Sequence, residues 1–207
     1  MTHGQELWAG PDVSRETRDR LGTLVETVIR WQPAINLISP GSVPDIWSRH
    51  VLDSAQLLNL APPAAQRWAD LGSGAGFPGL VCAICAQGAG RATDFHLVES
   101  DRRKAAFLNT AARATGVAVT VHPDRAESRP PLGADVVSAR ALAPLDRLLG
   151  LARRHLAPGG RAILPKGSAW RSEVAKALET WRFTYENHPS LTDPDSVILL
   201  VKDIEHA

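Results

Sequence analysis

Hydrophobic residues near the start of the chain recur at the spacing of one helical face. The positions that share this face are Leu21, Leu24, Val25, Val28 and Ile29. A second amphipathic segment runs from about residue 43 to residue 60, and the pair Pro62-Pro63 separates it from the rest of the chain. Because prolines interrupt helices, the pattern predicts a helical N-terminal extension over residues 1–62.

After residue 63 the pattern changes to short apolar runs that alternate with helical stretches. The predicted strands are 67–71, 93–98, 117–121, 134–138, 161–164, 182–187 and 196–202. The predicted helices are 78–87, 101–115, 144–156 and 169–180, with Gly116 as the cap of the second and Pro158-Gly-Gly160 closing the third. This alternation predicts a parallel sheet with helices on both faces over residues 63–207. The turn-like connection from Pro189 to Pro194 predicts a hairpin, and hence an antiparallel last strand.

Composition and charge narrow the class of protein only modestly. The chain has 207 residues, 44% of them hydrophobic and 22% charged, which is ordinary for one globular domain with a small appendage. With a net charge of +1 the chain as a whole is not basic, so its charge does not by itself indicate nucleic-acid binding. A local basic face is compatible with this net charge. No signal peptide and no run of 18 apolar residues is visible, so a cytoplasmic protein without membrane contact is expected.

The two cysteines, Cys82 and Cys85, form a CxxC pair on a predicted helix. A zinc site of this kind needs a second pair of ligands, and no such pair follows. We therefore interpret both cysteines as small core residues and expect no metal.

A glycine-rich turn follows the first predicted strand and reads Asp70-Leu-Gly-Ser-Gly-Ala-Gly-Phe-Pro-Gly79. Glycines permit positive φ and let a ligand approach the backbone without meeting a Cβ. The part from Gly74 to Gly79 is also a literal GxGxxG, which keeps a nicotinamide or flavin dinucleotide open. A tight strand–helix turn without any ligand is the remaining alternative.

Two acidic residues bear on the choice of ligand. Glu99 ends the second strand, where it could accept hydrogen bonds from ribose hydroxyls of either a dinucleotide or S-adenosylmethionine. A dinucleotide places a phosphate over the helix N-terminus, whereas S-adenosylmethionine has a sulfonium and no phosphate. A carboxylate near the turn favours the sulfonium ligand, and Asp70 supplies one, although it could instead only brace the turn. A solvated surface glutamate is the alternative for Glu99.

Further motifs appear in a fixed order between Trp31 and Gly167. They are Asn36-Leu37, Arg49-His-Val-Leu-Asp53-Ser54, the glycine turn, Val98-Glu99-Ser100 through Leu108, Arg125-Ala126-Glu127, Ser138 to Leu145, and Pro158 to Gly167. This ordered set resembles the bacterial methyltransferases that modify N7 of one guanine in 16S ribosomal RNA, the glucose-inhibited division protein B family.

The resemblance implies a class I, Rossmann-like methyltransferase fold with a seven-stranded, mostly parallel sheet and a helical N-terminal extension. It also implies S-adenosyl-L-methionine as the methyl donor and 16S ribosomal RNA or the small ribosomal subunit as partner. Together with Asp70 and Gly74 from the turn, the predicted cofactor-binding residues are Gly72, Phe77, Glu99, Ala126, Glu127 and Arg140. A monomer is expected.

The predicted catalytic residues are Arg140, His50 and Asp53, in positioning roles. Guanine N7 has an in-plane lone pair and no proton to lose, so its methylation needs no general base, only in-line positioning and exclusion of water. Arg140 could contact guanine O6 or hold the cofactor's carboxylate; a surface salt bridge is the alternative. For His50 and Asp53 the alternative is a local helix-stabilising pair.

The predicted RNA-binding residues are Arg49, His50, Lys166, Arg102 and Arg103. Charge runs such as that at the start of the second helix are often simply solvated, which remains the alternative for Arg102 and Arg103. Three other functions stay open from the residues alone. They are a methyltransferase of the same fold acting on a small molecule or protein, a dinucleotide-dependent oxidoreductase, and a non-catalytic RNA-binding protein.

Overall fold

The structure is a computed structural model, and it describes residues 13–207. The first twelve residues of the predicted extension lie outside this range. The helices are α1 Arg15–Trp31, α2 Asp53–Ala55, α3 Gly79–Gly88, α4 Arg102–Thr115, α5 Leu145–His155 and α6 Trp170–Ala177. The strands are β1 Arg67–Leu71, β2 Asp94–Val98, β3 Thr120–His122, β4 Ala134–Ser138, β5 Leu156–Lys166, β6 Trp181–Pro189 and β7 Val197–His206.

The strands form one seven-stranded sheet in the order β3-β2-β1-β4-β5-β7-β6. Strands β1 to β5 pair in parallel, and β7 pairs antiparallel with both β5 and β6. The predicted mostly parallel sheet with an antiparallel last strand is therefore confirmed. Because β7 lies between β5 and β6, strand β6 runs parallel to β5, and its end reaches the same edge of the sheet as the ends of the other parallel strands.

Several predicted boundaries differ from the structure, including the end of β7 at His206 and the end of α6 at Ala177. Two of the differences, in β5 and β3, have clear local causes. Strand β5 begins at Leu156 and contains the Pro158-Gly-Gly160 segment, which the sequence pattern places at the end of the preceding helix. Gly159 has φ +76°, and the register between β4 and β5 shifts here, so the glycines form an irregularity within the strand. Strand β3 begins three residues later than predicted. The reason is that Gly116 adopts the left-handed conformation and the next amide, Val117 N, bonds back to Ala112 O, which completes the helix cap.

The helices cover both faces of the sheet, as the alternation predicts. On one face, α1, α3 and α4 share a core with β1 and β2 that includes Leu24, Ile84, Phe107 and Trp68. On the other face, α5 and α6 pack on the sheet through a second core that includes Leu149 and Val174. The N-terminal helices therefore belong to the main core of the molecule and do not form a separate one.

The second N-terminal segment is helical but irregular. It begins as a π-helical turn at Trp47–Leu52, continues as α2 and ends as a 3₁₀ turn at Gln56–Asn59. Single π-helical turns inside helices are frequent at functional sites. This one contains two of the predicted site residues, Arg49 and His50, and a third, Asp53, follows it immediately.

The packing of α1 on α3 is expected to depend on the absence of a side chain at Gly88. A Cβ there would collide with the Thr17 hydroxyl and lie 3.2 Å from its Cβ. We predict that Gly88→Ala lowers the free energy of unfolding by about 1–3 kcal/mol, measured by urea denaturation. Adding Thr17→Ala should restore part of the loss.

Gly41→Ala is the matched control, because a Cβ at Gly41 meets nothing within 4 Å. Equal stability of the Gly88→Ala and Gly41→Ala variants would contradict this account of the interface.

Candidate cofactor and active site

The glycine turn connects β1 to α3 and is bonded to the end of the neighbouring strand. The amides of Gly72 and Ser73 both donate to Val98 O, at 2.8 and 3.1 Å. Three glycines of the turn, Gly72, Gly74 and Gly76, have φ values of +70°, +52° and +85°. L-residues rarely adopt this region, so the backbone shape that the sequence pattern predicts is present and requires glycine.

Asp70 lies fully buried beneath the turn, and its carboxylate faces the protein interior. Its Oδ2 accepts from the amide of Gly79 at 3.2 Å, and its Oδ1 accepts from Ser138 Oγ at 2.6 Å. Ser138 Oγ in turn accepts from the indole Nε1–H of Trp68 at 2.8 Å. These contacts join β1, β4 and the start of α3, and they favour the bracing role for Asp70 over contact with a ligand.

The buried position of Asp70 affects the pKa of its carboxyl group and leaves no space for a side chain at Gly79. Burial raises the pKa of Asp70 from 3.8 to about 6, although its hydrogen bonds act in the opposite direction. A Cβ on Gly79 would lie 2.6 Å from Asp70 Oδ2 and 2.5 Å from Leu97 Cδ2. Gly79 is therefore needed for close packing of the helix start, independently of any ligand.

Glu99 is fixed between the glycine turn and the start of α4. Its Oε2 accepts from the amide of Gly74 at 2.9 Å, and its Oε1 accepts from the amide of Asp101 at 2.8 Å. The side chain is only 8% exposed, so it is not the solvated surface glutamate of the alternative interpretation. Each carboxylate oxygen retains acceptor capacity, and Glu99 lines the open cleft above the turn.

The cleft has two compartments. The larger, of about 590 Å³, is lined by Gly72, Gly74, Phe77, Glu99, His50 and Arg140 among others. The smaller, of about 70 Å³, is lined by Ala126 and Glu127. Gly72 and Leu142 line both compartments, and Leu142 lies directly over Gly72. Of the predicted cofactor residues, all but Asp70 therefore surround this one cleft.

One buried residue behind the smaller compartment was missed by sequence reasoning. His155, at the end of α5, is fully buried, and its Nε2 lies 2.9 Å from Ala126 O. A single histidine at the end of a helix gives no sequence signal of such a role. Only the three-dimensional contact reveals that His155 supports Ala126 in the wall of the cleft.

Arg140 follows β4 and brings together the three predicted catalytic residues. Its Nη2 lies 2.9 Å from His50 Nδ1, and its Nη1 donates to Asp53 Oδ2 at 3.3 Å and to Arg49 O at 3.2 Å. The guanidinium carbon is 5.5 Å from the ring centre of Phe77. The pair of His50 and Asp53 is therefore not merely a local helix contact, since both residues bind the same guanidinium.

His50 is a neutral, oriented hydrogen-bond acceptor. Burial, and next the charge of Arg140, lower its pKa to about 4. Arg140 can only donate, so Nδ1 accepts and the proton lies on Nε2, which donates to Ser42 Oγ at 2.8 Å. The ring stacks on Phe77 with centroids 5.2 Å apart. Both nitrogens of His50 are thus occupied by the protein.

Asp53 connects the N-terminal segment to the loop between β6 and β7. Its Oδ1 accepts from Gln56 Nε2 at 3.0 Å, Thr192 Oγ1 at 3.1 Å and Ser190 Oγ at 3.4 Å. Gln56 also accepts from the amide of Leu191 at 2.9 Å. These loop partners lie more than 130 positions from Asp53 or Gln56 in the chain, and no sequence pattern pointed to them.

The predicted RNA-binding residues separate into two groups. Arg49 is exposed and lines the cleft, whereas Arg102 and Arg103 are exposed at the start of α4, where Arg103 lies 3.7 Å from the Asp101 carboxylate. Lys166 is placed differently: its ammonium is largely enclosed and donates to Glu173 at 2.8 Å and to Ala143 O at 3.3 Å. It lies on the far side of the segment that follows β4.

The cysteines lie in the core, as interpreted from the sequence. Both are buried in α3, burial raises the pKa of each thiol, and Cys82 Sγ donates to Ser54 O at 3.4 Å. Among residues 13–207, no cluster of three His, Cys, Asp or Glu side chains is arranged to hold a metal ion. Within the same range, no helix is both long and apolar enough to cross a membrane.

The architecture is shared with solved structures, among them one methyltransferase that covers most of the chain. A TehB-like SAM-dependent methyltransferase from Corynebacterium glutamicum superposes with a TM-score of 0.55 at 14% identity, covering 88% of this chain and 99% of that one. This likeness shows that the chain has the class I methyltransferase fold. The fold class expected from the sequence is thereby confirmed.

Sequence comparison identifies the family. The model of the rRNA small subunit methyltransferase G family matches residues 17–196. Ribosomal RNA small subunit methyltransferase G from Paramagnetospirillum magneticum is 50% identical over 97% of this chain and 95% of its own length. The protein of the same name from Cereibacter sphaeroides strain ATCC 17029 is 51% identical over 98% of both chains. The chain therefore belongs to the rRNA small subunit methyltransferase G family, which confirms the resemblance and favours the methyl donor over a dinucleotide.

The buried carboxyl of Asp70 should leave a signature in the pH dependence of stability. Since its pKa is raised on folding, the folded protein binds a proton over a pH range in which the unfolded chain has released it. Its contribution to stability is therefore present below about pH 4 and is lost as the pH rises through 6. Asparagine cannot ionise, so Asp70→Asn should lack this component.

Urea unfolding of both proteins between pH 4 and pH 7 measures the effect. We predict that the wild-type free energy of unfolding, relative to that of Asp70→Asn, falls by roughly 2–3 kcal/mol over this range. A difference that stays constant with pH would contradict the assigned environment of Asp70.

Proposed function

We propose that this protein transfers the methyl group of S-adenosyl-L-methionine to N7 of one guanine in 16S ribosomal RNA. The observation that carries the proposal is that the side chains in contact with Arg140 are already engaged in hydrogen bonds within the protein. His50 is neutral with both nitrogens engaged, and Asp53 binds Arg140 and the loop after β6. No side chain among the described residues of this cluster is left to remove a proton, and N7 of guanine has none to lose.

We assign the two compartments of the cleft to the two ends of the cofactor. In this proposal Glu99 accepts from the ribose hydroxyls, since its oxygens face the cleft directly above the glycine turn. The small compartment at Ala126 and Glu127 receives the adenine, and the larger compartment receives the methionine part. Gly72 and Gly74 allow close approach of the ligand to the backbone.

Arg140 is assigned a positioning role next to the reacting atoms. Three contacts to His50, Asp53 and Arg49 O fix the plane of its guanidinium, so it needs little reorganisation when a substrate binds. Its Nε–H and one hydrogen of Nη2 take part in none of these contacts. These hydrogens are available to the cofactor's carboxylate or to guanine O6.

The RNA side of the proposal rests on exposed cations, one that lines the cleft and two at the start of α4. Arg49, Arg102 and Arg103 are placed to contact phosphates of a strand that enters the cleft. In this proposal, residues 13–62 are the described part of a helical extension to a methyltransferase domain over residues 63–207. We further propose a cytoplasmic monomer that acts on 16S ribosomal RNA or the small ribosomal subunit.

Labelling with the methyl donor tests the proposed reaction. Purified protein and methyl-labelled S-adenosylmethionine should label small subunits, or 16S RNA, from cells that lack the gene for this protein. Borohydride–aniline treatment cleaves RNA at N7-methylguanosine and should map the label to one guanine. Subunits from cells that carry the gene are the control and should accept little label. Absence of label from naked RNA, assembly intermediates and mature subunits alike would overturn the proposal.

The assignment of Gly72 to the cofactor site predicts a loss of affinity on adding a single methyl group. A Cβ on Gly72 would enter the cleft and lie 2.7 Å from Leu142 Cδ1. Gly72→Ala should weaken S-adenosylmethionine binding by at least about tenfold in calorimetry.

Gly90→Ala is the matched control for backbone strain, because Gly90 has φ +68° against +70° for Gly72, and a Cβ there meets nothing within 4 Å. Both variants should lose similar stability, but only Gly72→Ala should lose affinity. Equal affinities of the two variants would refute the role given to Gly72.

A further inference from the structure

A second cavity, which we term the base cavity, lies on the far side of the segment between β4 and α5. It has a volume of about 680 Å³ and is lined by Asp53, Arg140, Leu142, Lys166, Glu173 and Ser196, among others. This volume is in the range of small-molecule sites. Arg140 and Leu142 also line the cofactor cleft, so a ligand in the base cavity would lie beside the methyl donor without overlapping its site.

An ion pair in the wall of the base cavity is only partly used by the protein. Lys166 Nζ donates to Glu173 Oε2 at 2.8 Å and to Ala143 O at 3.3 Å, and the same Oε2 accepts from the amide of Leu145 at 2.9 Å. An ammonium has three hydrogens, so one is left. Within the described part of the chain, Glu173 Oε1 accepts no hydrogen bond. The wall therefore presents one donor and one acceptor side by side.

This donor–acceptor pair matches one edge of guanine. The Watson–Crick edge of guanine presents the O6 acceptor next to the N1–H and N2–H₂ donors. A carboxylate can accept from N1–H and N2–H₂ while an ammonium donates to O6. Adenine presents the opposite polarity at the first two positions, with an amino group in place of O6 and an acceptor at N1. Enzymes that modify bases commonly read an extruded base through this edge.

These contacts to the Watson–Crick edge leave N7, the atom that would be methylated, free. N7 lies on the other side of O6 from N1, and contacts at N1, N2 and O6 do not occupy its lone pair. An arginine bound to both O6 and N7, the common contact to guanine in duplex DNA, would block the reaction. The pair of Lys166 and Glu173 thus has the polarity that methylation of N7 requires.

We propose that Lys166 and Glu173 form the recognition site for the target guanine, with Glu173 accepting from N1–H and N2–H₂ and Lys166 donating to O6. The inference rests on the proposed function and adds the means by which the base is selected. The guanine leaves the RNA stack and enters the base cavity, with N7 turned towards the cofactor cleft and Arg140 to one side of the line of transfer. Glu173 also holds the amide of Leu145, so it anchors the segment that carries Arg140.

A cycle of enzyme variants and substrate analogues separates base recognition from mere anchoring of the loop. Small-subunit RNA is prepared with either guanosine or inosine at the mapped position, since inosine lacks only the N2 amino group. Wild-type protein should methylate the guanosine substrate about 10–100-fold more efficiently in kcat/KM, as expected for a hydrogen bond to a charged group. Glu173→Gln should reduce this ratio to near one. Its carboxamide oxygen has to accept from Lys166 and from the Leu145 amide, so the NH₂ group, a donor, faces N1–H and N2–H₂.

Asp146→Asn is the matched control on the same pair of helices. Asp146 lies 3.8 Å from the exposed ammonium of Lys176 and does not line the base cavity. It should keep the wild-type ratio. The affinity of each variant for S-adenosylmethionine, measured by calorimetry, should equal that of wild type. If Glu173→Gln unfolds at the assay temperature, Glu173→Asp serves in the same cycle and should lower the ratio without abolishing it.

Each outcome bears on one proposal or the other. A lower rate for Glu173→Gln with an unchanged guanosine-to-inosine ratio would mean that Glu173 only anchors the loop, and it would overturn the recognition role alone. Failure of the wild-type protein to methylate any guanine at N7 would overturn the proposed function and the recognition site with it.

Discussion

The geometry of the site depends on the contacts of a single guanidinium. Arg140 binds the carbonyl of Arg49, the imidazole of His50 and the carboxylate of Asp53, all of which come from a helical segment about 90 positions earlier in the chain. Because arginine stays charged and presents its donors in one plane, it holds three acceptors of different kinds at once. Arg140 therefore positions the N-terminal segment relative to the loop after β4.

A second set of contacts, inside the sheet, is centred on the buried carboxyl group of Asp70. Asp70 connects the first strand to β4 through Ser138 and to α3 through the Gly79 amide. The hydrogen bonds that satisfy the buried carboxyl also set the path of the glycine turn, and Glu99 holds that turn from the other side. The two carboxylates thus face different surroundings: Asp70 faces the interior and supports the backbone, and Glu99 lines the cleft.

Much of the fold was predictable because strands and helices that bury apolar faces leave a periodic trace in the sequence. The sheet, its reversed last strand and the glycine turn follow from such local patterns, and the resemblance indicated His50, Asp53 and Arg140. The features that were missed are long-range or conformational. Gln56 and His155 act through contacts with distant residues, the turn at Trp47–Leu52 is widened to a π-helix, and β5 runs through Pro158-Gly-Gly160 where the pattern predicts a helix end. For Asp70 the sequence leaves two roles open, ligand contact and bracing of the turn, because proximity along the chain does not reveal which way a side chain faces.

The hairpin at the end of the chain has a consequence for how this scaffold can diversify. Since β6 runs parallel to β5 and β7 returns beside it, the connection at residues 190–196 lies at the same edge as the cofactor cleft. A connection of this kind can lengthen or shorten at little entropic cost while the strands on either side keep their pairing. The two halves of this connection differ in freedom. Its first half is held to the N-terminal segment by the contacts of residues 190–192 with Asp53 and Gln56, so changes of length that spare the site are confined to residues 193–195, next to the wall of the base cavity.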